Sequence, residues 1–416
     1  MAGYTLLRTK PTTLRTAPQP TTITPPPKRP SLKRSRTKHS RLVQRITQAK
    51  IPSKMDGEYR EQYSYTQIRL LGEGSEGKAW LVRQSSTNKL FVMKITNHAY
   101  TINNRIRESG GRQNLRTFFG SSLIPLSNEA NILLSYLPVY EHPHILHMYS
   151  YQPRTSDRTS LTSRAITEYC DGGDLYAVVR RWNDHYSSSS APRARSRPNL
   201  PGSFIYHVFL QLTAALAYIH HGAFFSPTTK SVSLLPEAAR GTWPQVVHRD
   251  IKLANIFLRW TPMRGDCPGN VYPDVVLADF GHATPTASKD SSMGKDFLHG
   301  GRMVENSPDQ RHCGTREYNP PEWPCTPHPS ADVYALGLVL YELCTGFRMD
   351  AKKGAEGVGR MYGGTMQSLV ERCTDRDWRR RPSSRELLRE WWGVAVQKRE
   401  EGVRRGSEMP RWAFGR

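Results

Sequence analysis

Hydrophobic and polar positions divide the chain into unlike stretches. Residues 1–55 show neither a helical nor a strand period. From about Tyr65, short apolar runs at 68–71, 79–82 and 90–95 are separated by turn residues, which predicts β-strands. The period then changes: within 129–137, Ile132, Leu133 and Tyr136 share one helical face. A longer helical face follows at Phe204, Ile205, Val208, Phe209, Leu212, Leu216 and Ile219, with Gly222 as its stop. Strands are expected at 256–258 and 275–278, then helices from Ala331 onward. Strands crowd the first part and helices the second, so two lobes are expected. No internal repeat is visible. Connections at about 97–126, 153–163, 183–200, 223–245 and 282–313 are longer than a compact domain needs, and are read as insertions.

Composition sharpens this picture. With 416 residues, 37% of them hydrophobic, the chain can bury a sizeable core. The net charge of +23 is lopsided: 13 Lys or Arg and no acid precede Asp56. A segment so poor in apolar groups and so one-sided in charge cannot repay the entropy of ordering, which predicts a disordered basic tail over 1–58. Its run at 28–45 suits a nuclear import factor or a nucleic-acid contact; a plain solvated tail is the alternative. Prolines at 11, 18 and 20 disfavour the amphipathic helix of a mitochondrial presequence. Cys170, Cys267, Cys313, Cys325, Cys344 and Cys373 form no CxxC pair, so neither a disulfide framework nor a zinc site is expected. A reducing compartment, cytoplasmic and/or nuclear, fits that pattern. No apolar run is expected to reach the ~18 residues of a transmembrane segment. The best, 331–344, is broken by Asp332 and Glu342, and no signal-peptide apolar region is seen.

The candidate chemistry begins with GEGSEG at 72–77, where Gly72, Gly74 and Gly77 let a backbone approach phosphate oxygens. Alone this pattern is weak. It precedes a strand rather than opening a helix, which disfavours a dinucleotide-binding fold. Its company is specific: Lys94 closing FVMK, Glu129 in a helix, HRDIKLAN at 248–255 and DFG at 279–281, in that order. With these residues the chain resembles the eukaryotic protein kinases from about Tyr65 to Trp392. EYCDGGDL at 168–175 and HRDIKLANIFL at 248–258 resemble the NIMA-related Ser/Thr branch.

That resemblance implies an α+β bilobal fold, with a small antiparallel sheet and one helix in the first lobe and a larger, mainly helical second lobe. The domain would run over 59–395, with lobes at about 59–168 and 171–395, followed by a C-terminal tail at 396–416. It implies ATP and Mg²⁺ as cofactors and proteins bearing Ser or Thr as substrates. Asp250 would accept the substrate hydroxyl's proton, Lys252 neutralise the transferring group, and Asn255 and Asp279 ligate Mg²⁺, a hard cation that wants oxygen. Lys94, paired with Glu129, would hold the phosphates. Gly72, Glu73, Gly74 and Gly77 would cover the nucleotide, Thr167 would be the gatekeeper, Glu168 to Cys170 the hinge, and Phe257 would contact the base. Leu133, Met148, His248 and Phe280 match an apolar stack between lobes, Asp332 a tie to the catalytic-loop backbone, and Glu322 an ion-pair partner of Arg381. Thr315 matches the Ser/Thr class.

The sequence also departs from the pattern. Ala79 stands where Val is usual over the base, and losing those methyls costs ~1–2 kcal/mol of packing. Glu76 places a carboxylate at the loop tip. Arg311 stands where the NIMA-related branch carries a phosphorylated Thr, and it cannot supply a phosphate to Arg249. Ser307 or Thr284, each before Pro, are candidate substitutes, with ordinary loop residues as the plain alternative. These departures motivate a second reading, a pseudokinase or scaffold that binds nucleotide without transfer. Asp171 and Asp174 either favour a basic substrate, or are solvated, or cap the following helix.

Overall fold

The computed structural model describes residues 64–74, 77–97, 127–137, 142–157, 160–188, 198–226, 229, 231–260, 271–286, 314–323, 327–349 and 354–415. The expected basic tail lies outside these residues, as do nearly all of the 97–126 and 282–313 insertions, and Glu76, Ser307 and Arg311.

Five strands, β1 (Tyr65–Gly74), β2 (Gly77–Gln84), β3 (Leu90–Asn97), β4 (Met148–Asp157) and β5 (Ser160–Glu168), form one antiparallel sheet in the order β1-β2-β3-β5-β4. The three strands read from apolar runs lie within β1 to β3. The connection expected at 153–163 is instead, in its described parts, paired strand, with Pro153 opposite Ser163 and Arg154 opposite Thr162. Its PRTSDRTSLTS sequence is polar at nearly every position, so it carries no period-2 signal. Pairing with a neighbouring strand, a tertiary fact, decides its conformation. A small core of Val82, Met93 and Ile166 lies against the sheet.

Helix α1 (Asn128–Asn131) starts at Ser127, whose hydroxyl caps it by accepting from the Ala130 amide at 3.1 Å. It widens into a π-helical stretch, Ile132–Tyr136, one residue short of the expected end. Buried Ala130, Ile132 and Leu133 join it to a core cluster continuous with the second lobe.

That lobe contains α2 (Leu175–Ser188), α3 (Gly202–His221), α4 (Pro236–Ala239), α5 (Pro329–Thr345), α6 (Glu356–Tyr362), α7 (Gly364–Cys373) and α8 (Ser384–Arg404). Three antiparallel strand pairs accompany them: β6 (Ala223–Ser226) with β7 (Ser231–Leu234), β8 (Gln245–Val247) with β11 (Thr284–Thr286), and β9 (Ile256–Arg259) with β10 (Asp274–Leu277). All but three residues of α3 are buried. Contrary to the sequence expectation, α3 is long and apolar enough to cross a membrane, but its apolar window is 89% buried inside the protein. It is a core helix. Gly222 ends it at φ 56°, and a Cβ there would lie 2.7 Å from Ala238 Cβ.

Two segments read as an insertion and a tail contain folded elements. Within 223–245, the β6–β7 hairpin docks on α8, where the Phe225 ring stacks on Trp392 at 4.0 Å, and α4 packs on β7. The C-terminal tail expected from 396 is also part of the body: α8 runs to Arg404, and Met409, Ala413 and Phe414 are buried. Trp412 stacks on His185 at 4.0 Å and on Trp182 at 5.5 Å. A few spaced apolar residues make no readable period; α2 and α3 supply the surface that buries them.

Candidate active site

The β1–β2 hairpin places the glycines in two different situations. A Cβ at Gly77 would lie 2.0 Å from the Ile95 carbonyl oxygen, so this glycine is required by the β2–β3 approach. Gly72 and Gly74 would meet nothing within 4 Å, leaving open space along the hairpin of the kind a phosphate chain needs. Glu73 pairs with Lys78 at 3.1 Å. Ala79 sits opposite both Gly72 and Lys94 in the sheet. Lys94 Nζ donates to Glu129 Oε2 at 2.8 Å, which joins β3 to α1.

The catalytic-loop candidates converge on one carboxylate. Lys252 Nζ donates to Asp250 Oδ2 at 2.9 Å and to the Thr315 hydroxyl at 2.9 Å. That hydroxyl and the Thr315 amide donate to Asp250 Oδ1 at 2.7 and 2.9 Å. Asn255 Nδ2 donates to Asp250 Oδ2 and to its backbone carbonyl, both at 2.9 Å. Burial pushes the Asp250 carboxyl up, but bonds from Lys252 and Thr315, with the charges of Lys252 and His248, outweigh it and hold the group below its ordinary value. Asp250 is therefore an oriented, ionised carboxylate. Gly314 makes the approach of Thr315 feasible: its φ is 87°, and a Cβ there would lie 2.3 Å from the Arg249 carbonyl oxygen.

Arg249 (φ 66°) and Asp279 (φ 63°) both occupy the left-handed region, an unfavourable setting for side-chain-bearing residues that needs surrounding contacts to persist. Asp332 of α5 supplies them for the catalytic loop. It is buried and accepts from the His248 and Arg249 amides at 2.7 and 2.9 Å, and from His220 Nε2 at 2.9 Å. Burial works against its ionisation, yet the His220 bond and charge, then His248, keep its pKa low. His248 in turn packs on Phe280 with ring centroids 4.7 Å apart, and Leu133 and Met148 are buried in the same core as Phe280.

The predicted metal-ligating residues suit a hard divalent cation. Asn255 spends its amide nitrogen on Asp250, and its Oδ1 accepts no hydrogen bond among the described residues. The half-buried Asp279 carboxylate likewise accepts none among them. Oxygen atoms left without protein donors are what Mg²⁺ takes as ligands.

At the hinge, the Glu168 side chain is turned to a structural task. It pairs with Arg259 at 2.6 Å and accepts from the His147 amide at 2.9 Å, so only its backbone remains for a base. Cys170 is buried with Leu146, Val276 and Ala278, against which Phe257 packs, and burial pushes its thiol pKa up. Its side chain too is structural. Asp174 caps α2 through the Ala177 amide at 2.7 Å, and Asp171 accepts from the Trp260 amide at 2.8 Å. The capping alternative therefore accounts for Asp174, whereas Asp171 ties the hinge to the chain just after β9. Arg381 and Glu322 form a two-pronged pair, both contacts 2.7 Å. Thr284 is paired in β11 opposite Val247.

Two connecting residues are missed by sequence reasoning. Asn128 donates from Nδ2 to the carbonyls of Gly281 at 2.9 Å and Ala283 at 2.7 Å, with Phe280 at 3.4 Å. Arg259 joins Glu168, Asp274 and the Pro143 carbonyl. Asn128's position beside Glu129 at a helix start is the one available signal for it.

Comparison with known proteins agrees with this geometry. The protein kinase domain family matches residues 65–393. Mouse serine/threonine-protein kinase Nek2 is 28% identical over 336 residues, 78% of this chain and 58% of that protein. Human Nek2 is 26% identical over 360 residues, 83% of this chain and 64% of that protein. The G2-specific protein kinase nim-1 of Neurospora crassa is 26% identical over 273 residues, 61% and 27% of the respective chains. The chain thus spans about three fifths of the length of the two Nek2 proteins. A family match over most of the chain, standing beside an ordered lysine–glutamate pair and an oriented aspartate, means that this chain belongs to the protein kinase family, with its similarity concentrated among the NIMA-related Ser/Thr kinases.

Proposed function

We propose that this chain is a protein Ser/Thr kinase that uses ATP and Mg²⁺. The observation that carries the reading is the Thr315 hydroxyl, which bridges Asp250 and Lys252. Asp250, ionised and held by donors on both oxygens, takes the proton of a Ser or Thr hydroxyl as that oxygen attacks phosphorus. Lys252 is placed to neutralise charge on the group being transferred. Lys94, fixed by Glu129, offers its ammonium to phosphate oxygens, and Gly72 and Gly74 leave space for them. Asn255 Oδ1 and the Asp279 carboxylate would hold Mg²⁺, whose charge neutralises the phosphates when bound. The pseudokinase alternative asks for a missing catalytic group, and Lys94, Asp250, Asn255 and Asp279 are all in place. The basic run at 28–45 is proposed to bind a nuclear import factor or nucleic acid, placing the protein in the cytoplasm and nucleus; steep salt dependence lost on deleting 1–55 tests this.

The test of the activity compares wild type with Asp250→Asn in γ-phosphate transfer to a mixed Ser/Thr/Tyr peptide library. Transfer to Ser or Thr, lost in the variant, is expected. Nucleotide binding without transfer by the wild type would sink the reading in favour of the pseudokinase.

A further inference from the structure

The turn that follows Asp279 exposes three successive carbonyls, and each is taken by a side chain from elsewhere in the fold. Asn128 Nδ2 donates to Gly281 O at 2.9 Å and Ala283 O at 2.7 Å, while Arg249 Nε donates to His282 O at 2.7 Å. An amide nitrogen has two hydrogens, and the two short bonds use both; the Phe280 contact at 3.4 Å is marginal. Carbonyls only accept, so the group facing them must be the NH₂ end of the amide. The next residue, Glu129, is buried and grips Lys94. Ser127 fixes the same helix start from the other side, its hydroxyl capping Ala130 and its amide donating to Tyr151 Oη at 2.9 Å.

We propose that Asn128 is a positioning residue for phosphoryl transfer. It locks the first residue of α1 to the backbone of 281–283, so that the Lys94–Glu129 pair and Asp279 hold one register. The lock uses neutral hydrogen bonds and no phosphate on the loop, which suits a chain with Arg311 where a phosphorylated Thr is expected. For its rate readout the proposal rests on the kinase reading above. The requirement is for a donor. Asn128→Ala removes it, and Asn128→Asp keeps the shape but aims acceptor oxygens at carbonyls. Protonation of that Asp returns one O–H donor, so its defect should ease as pH falls, whereas the Ala defect should not.

The experiment uses the full chain with two readouts. The first is backbone hydrogen exchange in peptides covering 127–137 and 279–286, with α3 as the internal reference for intact folding. Faster exchange in both peptides of Asn128→Ala, with α3 unchanged, is expected. The second is peptide phosphorylation across pH. Asn128→Ala is expected to lower kcat about tenfold, the loss of roughly one such hydrogen bond's worth of positioning, with less effect on peptide KM. The Asn128→Asp rate relative to wild type is expected to rise about threefold or more between about pH 8 and pH 6, while the Ala ratio stays flat. Unchanged exchange with kcat within twofold of wild type would overturn the proposal, as would Asp and Ala variants that track each other at every pH. A wild type that transfers nothing, alongside faster exchange in the variant, would sink the kinase reading and leave the lock standing.

Discussion

Thr315→Val tests the heart of the site. Valine keeps the β-branched shape and the backbone amide that donates to Asp250 Oδ1 at 2.9 Å, and it deletes only the hydroxyl. Two contacts vanish: the 2.7 Å donation to Asp250 and the 2.9 Å acceptance from Lys252. A hydrogen bond to a charged group is worth ~1.5–3 kcal/mol. Lys252 and Asn255 still donate to Asp250 Oδ2, and the quarter-exposed lysine can turn to water, so the lower end applies. About 1.5 kcal/mol of lost positioning predicts a roughly tenfold lower kcat. The sign of the pH effect follows from the same contacts. Thr315 helps to depress the Asp250 pKa, so its loss raises it, and the base becomes protonated at higher pH. The acid limb of the kcat profile therefore moves to higher pH, and Thr315→Ser restores both properties. The assay is steady-state peptide phosphorylation from about pH 5.5 to 9 at saturating Mg·ATP. A valine variant with wild-type kcat and an unmoved acid limb would refute the assignment of Asp250 as the base held by Thr315.

Other outcomes follow from the same structure. Lys94→Met should abolish transfer by at least ~100-fold while α3 and the sheet keep their hydrogen-exchange protection, because it removes a positioned charge and leaves Glu129 unpaired. Arg381→Ala should lower the thermal midpoint by several degrees, consistent with the ~3–5 kcal/mol cost of stranding the partner of a buried ion pair; a melt within 1–2 °C of wild type would contradict it. Burial pushes His144 and His207 down to about 4, against the accepting carbonyls of Val275 and Pro273 that favour the charged form. The unfolded chain takes these protons first, so stability is full above about pH 6.5 and drains as pH falls toward 4, at up to ~1.4 kcal/mol per pH unit for each histidine. Urea midpoints at about pH 7.5 and 5 read the slope, and His207→Gln should reduce it while leaving the His144 share.

Much of the site was legible because kinase chemistry is written in short contiguous strings. HRDIKLAN places the proposed base, a cation and a proposed metal ligand within eight residues, and DFG follows at a strand end, so local spacing carries the arrangement. Glu168 and Cys170 were read as a hinge acting through its backbone, and that reading says nothing of their side chains, which serve Arg259 and an apolar cluster. Which way a strand-end side chain turns depends on partners about 90 and 100 residues away in the chain, which no window can see. Asn128 escaped notice for the same reason, since its acceptors lie more than 150 residues along the chain.

By itself, the sequence determined the types of element wherever apolar groups recur at a helix or strand period, the order of the catalytic groups, and the family. Periodicity is a local consequence of burying one face, so it survives in the string. Tertiary structure alone decided that the polar 153–163 stretch pairs as strands, that an apolar 20-residue helix is a core rather than a membrane helix, and that residues 405–415 dock on α2 and α3. In each case the deciding energy comes from a surface or an edge supplied by distant chain. Tertiary structure also decided that Gly77 is required by the sheet while Gly72 and Gly74 are left open, because the sterics of a missing side chain exist only once something stands where it would have been.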